Sequence, residues 1–130
     1  MVAGERGPSE RRAPAKRVPA FFFRTDAGGE PVRDWLKGLP ASERRLIGID
    51  IKTVEFGWPV GMPVVRPLGS GLNEVRTNLP GNRIARVLFY VDKKQRMVLL
   101  HGFIKKTRRT TDQELELGRS NKSKHERGLK

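Results

Sequence analysis

The spacing of apolar residues changes about half-way along the chain. Apolar side chains in segment 32–39 lie three and four positions apart, which is typical of one face of a short helix. A second helix is predicted over residues 42–57, between the favourable cap Ser42 and a terminating Gly57. Three consecutive phenylalanines, residues 21–23, precede both helices and indicate a first strand. The N-terminal half is therefore predicted to hold one strand and two helices.

Beyond residue 63 the pattern alternates between apolar and polar positions, as it does in β-strands. A short strand is predicted over residues 64–68, where Pro67 is tolerable only at the edge of a sheet. Three more strands, separated by short turns, follow over residues 72–79, 83–91 and 97–104. Short loops between successive strands predict an antiparallel meander.

The polar C-terminal region predicts one more helix. It begins after Thr110 or Thr111, either of which can cap it, and Gly118 is expected to end it. Residues 21–118 are thus predicted to form one α+β domain, with an antiparallel sheet of about four strands, N-terminal helices on one face and a C-terminal helix. Residues 119–130 are predicted to be a flexible basic tail.

Residues 1–20 are rich in proline, glycine, alanine and arginine and show no periodicity. Such a segment buries too little apolar surface to offset the entropy that is lost on ordering it, so a disordered basic leader is predicted. A start codon assigned too far upstream would produce the same pattern, and both interpretations stay open.

Composition constrains the partner more than the fold. The 27 Lys and Arg residues exceed the 14 Asp and Glu residues and give a net charge of +13. Such a chain attracts phosphate backbones, acidic proteins or anionic membranes. The absence of cysteine excludes thiolate catalysis and cysteine-ligated metals. No apolar run approaches the roughly 20 residues of a membrane helix, and the N-terminus lacks the apolar core of a secretory signal. A cytoplasmic protein is therefore expected.

Cations on the predicted strands are the most informative chemical feature. Alternation places Arg76 beside Glu74 on one face of its strand, and Arg86 beside Tyr90 on one face of the next. Residues 105–109 add four cations after the last strand. If the strands pair in order, these cations converge on one open surface suited to single-stranded RNA, with an aromatic ring to stack a base. A solvated charged face, an Arg76–Glu74 ion pair and a packing role for Tyr90 are the alternatives.

The two histidines are isolated from each other in the sequence. His101 lies within an apolar strand, where a hydrogen-bonded core residue is the main alternative to a catalyst. His125 lies in the polar C-terminal region, and no role is predicted for it. Two separate histidines do not indicate a metal site. The carboxylates that begin the last helix, Glu114 among them, are explained by the helix dipole.

The chain resembles the phage-derived, HigB-like branch of the RelE toxin superfamily. The resemblance rests on three motifs in order, Leu72-x-Glu74-Val75-Arg76, Arg86-Val87-Leu88-Phe89-Tyr90 and His101-Gly102-Phe103-x-Lys105-Lys106-Thr107. A capped helix with Glu114 and Glu116 follows them, and the upstream Val32-x-x-Trp35-Leu36 helix also fits. It covers about residues 21–119. It implies a RelE-like fold with a curved sheet, metal- and cofactor-independent cleavage of mRNA, in many members on the ribosome, and neutralisation by a cognate antitoxin. In this branch the antitoxin is often a helix-turn-helix protein.

The resemblance also implies roles for individual residues. Arg86 corresponds to the strand arginine that contacts the scissile phosphate. Arg76, Lys105 and Lys106 correspond to other basic positions of the site, and His101 falls on a motif position with a structural or catalytic role. Further RNA contacts are expected from Arg83, Tyr90, Arg108 and Arg109. The aromatic that some members use for base stacking has no match after Thr107, so Tyr90 or Phe103 is expected to take that role.

The implied reaction uses the RNA's own 2′-hydroxyl as the nucleophile. Arginines stabilise the charged phosphorane, and Lys105 or Lys106 transfers a proton, with His101 as the second choice. Two further hypotheses stay open at this point. One is a non-catalytic module that binds RNA or the ribosome, and the other is a degenerate toxin that only binds its antitoxin.

Overall fold

The structure is a computed structural model that describes residues 15–129. This part of the chain contains five strands and three helices. The strands are β1 (Ala20–Phe22), β2 (Val65–Gly69), β3 (Leu72–Leu79), β4 (Arg83–Val91) and β5 (Met97–Lys105). The helices are α1 (Pro31–Lys37), α2 (Ala41–Gly57) and α3 (Asp112–Gly128).

Four of the five strands form the predicted antiparallel meander. Strands β2 to β5 pair in sequence order, each antiparallel to the next. β1 adds a fifth strand, which pairs in parallel with β5 and places Ala20 opposite Met97. The sheet therefore has one strand more than the predicted four. The pattern of residues could not show this pairing, because a strand of three residues has too little alternation to indicate its neighbour.

Helices cover both faces of the sheet. α1 and α2 bury Val32, Ile47 and Val54 against one face, where they meet Val87 and Phe89 of β4. α3 covers the other face, on which Leu72, Leu88, Tyr90, Val98, Leu100 and Phe103 form a second apolar cluster. The predicted α+β class and the alternation of β4 are confirmed. Because both faces are apolar at their centres, α3 shields a surface that would otherwise be exposed to water.

The last residues of the predicted leader (residues 1–20) are already packed against the core of the domain. Val18 is buried in the same cluster as α1 and α2, and the amides of Arg17 and Val18 both donate to the carbonyl of Glu55. The carbonyl of Pro19 accepts from the amide of Met97. The predicted boundary is therefore wrong for residues 15–20, because a single buried side chain, Val18, shows no periodicity in the sequence. Residues 1–14 of the predicted leader lie outside the described residues.

The last helix is longer than predicted. Thr111 caps it by accepting a hydrogen bond from the amide of Glu114, which confirms one of the two predicted caps. The helix then continues through Gly118 to Gly128, so residues 119–128 are helical and the predicted end at Gly118 is wrong. A Cβ on Gly118 would lie 2.7 Å from Cδ1 of Leu88. Glycine is present here because α3 approaches the sheet closely, and not because the helix stops.

Candidate functional site

A row of polar and charged residues crosses the α3 face of the sheet beside its apolar cluster. β2 contributes Arg66, β3 contributes Glu74 and Arg76, and β4 contributes Arg86. Arg76 is directly opposite Arg86, and Arg86 is opposite Phe103 of β5. Because directly opposed residues point to the same side of a sheet, the strand register brings these side chains together. The predicted convergence of the strand arginines is present in the structure.

A bulge in β5 places His101 on this same face. Leu88 pairs with His101 and Phe89 pairs with Leu99, which leaves Leu100 as an extra residue. Leu100 joins the apolar cluster under α3, and the side-chain amide of Asn121 donates to its carbonyl at 2.9 Å. Simple alternation along β5 would put Leu100 and His101 on opposite faces. The sequence gives no local signal for this bulge.

His101, Glu114 and Lys105 form a compact cluster at the start of α3. Nε2 of His101 lies 2.6 Å from Oε1 of Glu114, and Nζ of Lys105 lies 3.1 Å from Oε2. The side chain of His101 is 20% exposed and that of Glu114 is 13% exposed. Burial raises the pKa of the Glu114 carboxyl, but hydrogen bonds from His101 and Lys105 outweigh burial, and the pKa is lowered overall. Glu114 is therefore a carboxylate that holds two proton-bearing groups in place.

Phe103 separates this cluster from the arginines. Its ring stacks on the ring of His101, with centroids 5.5 Å apart and an angle of 27° between the planes. The guanidinium carbon of Arg86 lies 6.0 Å from the centroid of the same ring. Phe103 is buried, so it fixes the positions of Arg86 and His101 but offers no free face to a base as it stands.

Arg86 is fully buried, at 0% exposure. Its guanidinium donates to the carbonyl of Thr107 and, at 3.3 Å, to Oγ1 of Thr110. Thr110 in turn donates to Oε1 of Glu74 at 2.5 Å. Burial lowers the pKa of Arg86, the charge of Glu74 opposes this, and Arg76 and Arg66 add to it. The expected open surface is therefore wrong for Arg86, because the chain after β5 folds back over it.

Glu74 and Arg76 form the ion pair that the spacing indicated, but in a buried setting. Nη1 of Arg76 lies 2.8 Å from Oε2 of Glu74, and the Glu74 side chain is fully buried. Arg76 also donates to the carbonyl of Arg108 at 3.3 Å, as does Arg66 from β2. Sequence reasoning did not include Arg66, because a lone arginine next to a proline in a predicted edge strand carries no signal of its own.

A family comparison bears on this arrangement. The family model for phage-derived Gp49-like proteins (DUF891) matches residues 34–123, which is more than half of the chain. The chain belongs to the Gp49-like family. This family is part of the RelE/HigB-like group of toxins, and the matched range includes every residue of the row and of the His101 cluster. A search of curated proteins found no match. No helix within residues 15–129 of this Gp49-like protein is long and apolar enough to cross a membrane.

The basic residues predicted after β5 are divided between two environments. Lys105 is the last residue of β5 and pairs with Glu114, with its side chain 40% exposed. Lys106, Arg108 and Arg109 are exposed in the segment that leads to α3. Lys105 is thus the lysine that the fold brings next to His101, whereas Lys106 lies in the covering segment of this Gp49-like protein.

Two of the predicted RNA contacts lie away from this row. Arg83 is on β4 but pairs with Glu43 of α2, on the opposite side of the sheet. Tyr90 is buried under α3, and its hydroxyl has no hydrogen-bond partner among the described residues. Burial, together with the nearby charges of Glu126 and Asp92, raises the pKa of Tyr90 to about 12. The packing alternative for Tyr90 is the one that the structure supports.

A second polar cluster was missed by sequence reasoning. Asp92, at the start of the β4–β5 hairpin, accepts from Nε and Nη2 of Arg96 at 3.0 and 2.8 Å. It also lies 3.1 Å from Nε2 of His125 on α3. Burial raises the pKa of Asp92, but the hydrogen bonds from Arg96 and His125 outweigh burial and lower it to about 2. His125 therefore ties the end of α3 to the hairpin, in a region where no role was predicted.

Proposed function

We propose that this Gp49-like protein is the toxin of a type II toxin–antitoxin system and acts as a metal-independent mRNA endonuclease. The observation that carries the proposal is the cluster of His101, Glu114 and Lys105 beside a row of arginines. Two groups that can transfer protons are held by one carboxylate, and the arginines are within the same face of the sheet. Family membership and the net charge of +13 support an RNA substrate.

The proposed reaction is an in-line displacement at one phosphodiester. The 2′-oxygen of the RNA attacks phosphorus, and the bond from phosphorus to the 5′-oxygen breaks. The products are a 2′,3′-cyclic phosphate and a 5′-hydroxyl. His101 accepts the proton of the 2′-hydroxyl, and Lys105 gives a proton to the leaving 5′-oxygen. Arg86 and Arg76 stabilise the negative charge of the phosphorane, which an arginine can do because it stays protonated throughout the physiological range.

Glu114 acts in this scheme as a positioning residue. With its carboxylate on Nε2 of His101, the neutral imidazole carries its proton on Nε2 and has Nδ1 free to accept one. The carboxylate also stabilises the imidazolium that forms, as the aspartate of a serine protease does for its histidine. The geometry thus favours Lys105 over Lys106, and gives His101 a larger role than the sequence suggested.

We further propose that the substrate is mRNA on the ribosome, in the cytoplasm, and that a cognate antitoxin, a helix-turn-helix protein, neutralises the toxin. A ribosome that positions the message would supply part of the orientation that catalysis needs. This fits a site in which His101 and Lys105 are already held by Glu114.

The test is controlled expression in a bacterial host, with mRNA 5′ ends mapped after induction. The intact chain is expected to arrest growth and to create new 5′ ends in translated messages. Lys105→Ala is expected to remove both effects. Lys93→Ala is the matched control, because Lys93 is an exposed lysine in the β4–β5 hairpin, at the far end of these strands. Growth arrest without new 5′ ends would instead support the non-catalytic RNA- or ribosome-binding module, and a folded chain with no effect would support the degenerate toxin.

A further inference from the structure

Three arginines of the site donate to the same short piece of main chain. Arg86 donates to the carbonyl of Thr107, and both Arg66 and Arg76 donate to the carbonyl of Arg108. Within residues 15–129, Glu74 is the one carboxylate that forms a salt bridge with any of the three. With Oγ1 of Thr110, which accepts from Arg86, the three positive charges are thus matched by one negative charge and three neutral oxygens.

The hydrogen-bonding capacity of Arg86 is not fully satisfied in this arrangement. It is fully buried, and its Nε has no hydrogen-bond partner among the described residues. A buried donor without a partner is costly, and a buried cation is more so. Carbonyl oxygens accept weaker hydrogen bonds from a guanidinium than charged oxygens do. An oxyanion placed on the three guanidiniums would therefore be a better partner than the two carbonyls.

The covering segment is attached weakly. Residues 106–109 have no regular secondary structure and are exposed, while Thr110 behind them is buried and is held by Arg86 and Glu74. Within the segment, the hydroxyl of Thr107 donates to the carbonyl of Arg109 at 3.3 Å. The hydrogen bonds that attach this segment to the sheet come from the arginines themselves.

We propose that residues 106–109 are a displaceable cover, and that phosphate oxygens of the RNA replace the carbonyl oxygens of Thr107 and Arg108 on Arg66, Arg76 and Arg86. The ligand is a phosphodiester, and Arg66 becomes a phosphate-binding residue. The identity of that phosphodiester as an RNA substrate rests on the proposed function. The exchange itself follows from the arginine contacts, and it explains how a buried Arg86 reaches a substrate.

The probe for binding is a short single-stranded DNA oligonucleotide, which carries the same phosphodiesters but lacks the 2′-hydroxyl and is not cut. Arg66→Gln is expected to weaken its binding about tenfold, the loss of one charge-assisted contact. Arg127→Gln is the matched control, because it removes one exposed cation from the far end of α3. It is expected to change the affinity less than twofold at physiological salt, where distant charges are screened. Equal losses in the two variants would overturn the assignment of Arg66.

Movement of the cover is measured on the full chain with two spin labels. The chain has no cysteine, so Thr107→Cys and Ser120→Cys, both exposed and uncharged positions, can be labelled alone. Saturating oligonucleotide is expected to change the distance between the two labels by several ångströms. An unchanged distance in the presence of bound oligonucleotide would overturn the cover.

The experiments distinguish a failure of the displaceable cover from a failure of the proposed endonuclease. If the labels move and Arg66→Gln weakens binding, but RNA of the same sequence is never cut, the cover stands and the endonuclease does not. If RNA is cut while the labels stay at the same distance, the endonuclease stands and the cover does not.

Discussion

Oε1 of Glu114 lies 2.6 Å from Nε2 of His101, although the two residues are thirteen positions apart and lie on different elements. α3 brings the carboxylate over the sheet, and the bulge in β5 turns the imidazole toward it. From the sequence alone, the helix dipole was sufficient to explain the carboxylates in the first turn of α3. The structure shows that one of them, Glu114, also contacts His101.

Replacing Glu114 by Gln is expected to reduce the cleavage rate about a hundredfold, because the imidazolium that forms in the reaction loses its carboxylate partner. Glu116→Gln removes an exposed carboxylate from the same helix and is the control. An unchanged cleavage rate in the Glu114 variant would contradict the role of Glu114 as the residue that positions His101.

Arg83 on β4 and Arg76 on β3 are expected to differ in effect. Arg83 pairs with Glu43 on the α2 side of the sheet, so Arg83→Gln should leave cleavage within twofold of the unchanged protein. Arg76→Gln should reduce cleavage by a factor of ten or more, since it removes a cation from the row that holds the phosphate. Single-turnover cleavage of one RNA by both variants makes the comparison. Equal losses would show that only the overall charge matters.

Gly118 is expected to tolerate no side chain. Gly118→Ala places a methyl group against the buried Leu88 and should lower the free energy of unfolding by about 1–3 kcal/mol. Gly48→Ala, at an exposed position of α2 with no atom within 4 Å of the new Cβ, should instead raise it by about 0.5–1 kcal/mol, because alanine favours a helix. Urea unfolding of the two variants measures both signs. Stabilisation by both substitutions would contradict the close contact between α3 and the sheet.

Gly102 is constrained by an aromatic ring. A Cβ at this position would lie 2.5 Å from Cε3 of Trp35 on α1, and a rigid indole cannot turn aside as an aliphatic side chain can. Gly102→Ala is expected to destabilise the fold by several kcal/mol, at the upper end of overpacking costs. Adding Trp35→Leu should recover part of the loss, as measured by the melting temperature of the double variant against each single one. Additive losses in the double variant would exclude the contact as the cause.

Stability in acid is expected to depend on Asp92. Its pKa is lowered from an ordinary 3.8 to about 2 in the folded chain, so the folded state binds this proton less well than the unfolded state. The resulting stabilisation is present above pH 4 and is lost as the pH falls toward 2. Asp92→Asn should reduce the free energy of unfolding by about 1–2 kcal/mol at neutral pH and flatten its fall between pH 4 and 2. Asp26→Asn, at an exposed loop position, is the control.

Alternation along the strands predicted much of the architecture and part of the site. The pattern located the four meander strands and the first two helices, because each of them buries one apolar face. It also put Arg76 and Arg86 on a shared face. It could not show that Arg86 is buried, since that depends on how the chain returns after β5. Nor could it predict the face of the sheet on which His101 lies, because the extra residue in β5 shifts the alternation of the residues that follow it.

The C-terminal errors have a single physical source. Only Leu115 and Leu117 are apolar in the last helix, so the pattern indicated a short helix with a frayed tail. The helix is held instead by contacts that a sequence pattern does not reveal. Glycine allows close approach at Leu88, Asn121 binds the carbonyl freed by the bulge, and His125 binds Asp92.

The parallel pairing of β1 with β5 has a consequence for synthesis. Ala20 leaves the ribosome long before its partner Met97 is made, and α3 follows later still. When β2, β3 and β4 have been made, β5 is still missing from the edge of β4. The face that includes Leu88 is not yet covered by α3. Glu114, the carboxylate of the proposed site, is added after all five strands. On the proposed function, a ribosome would complete the entire sheet before the chain became capable of attacking a message.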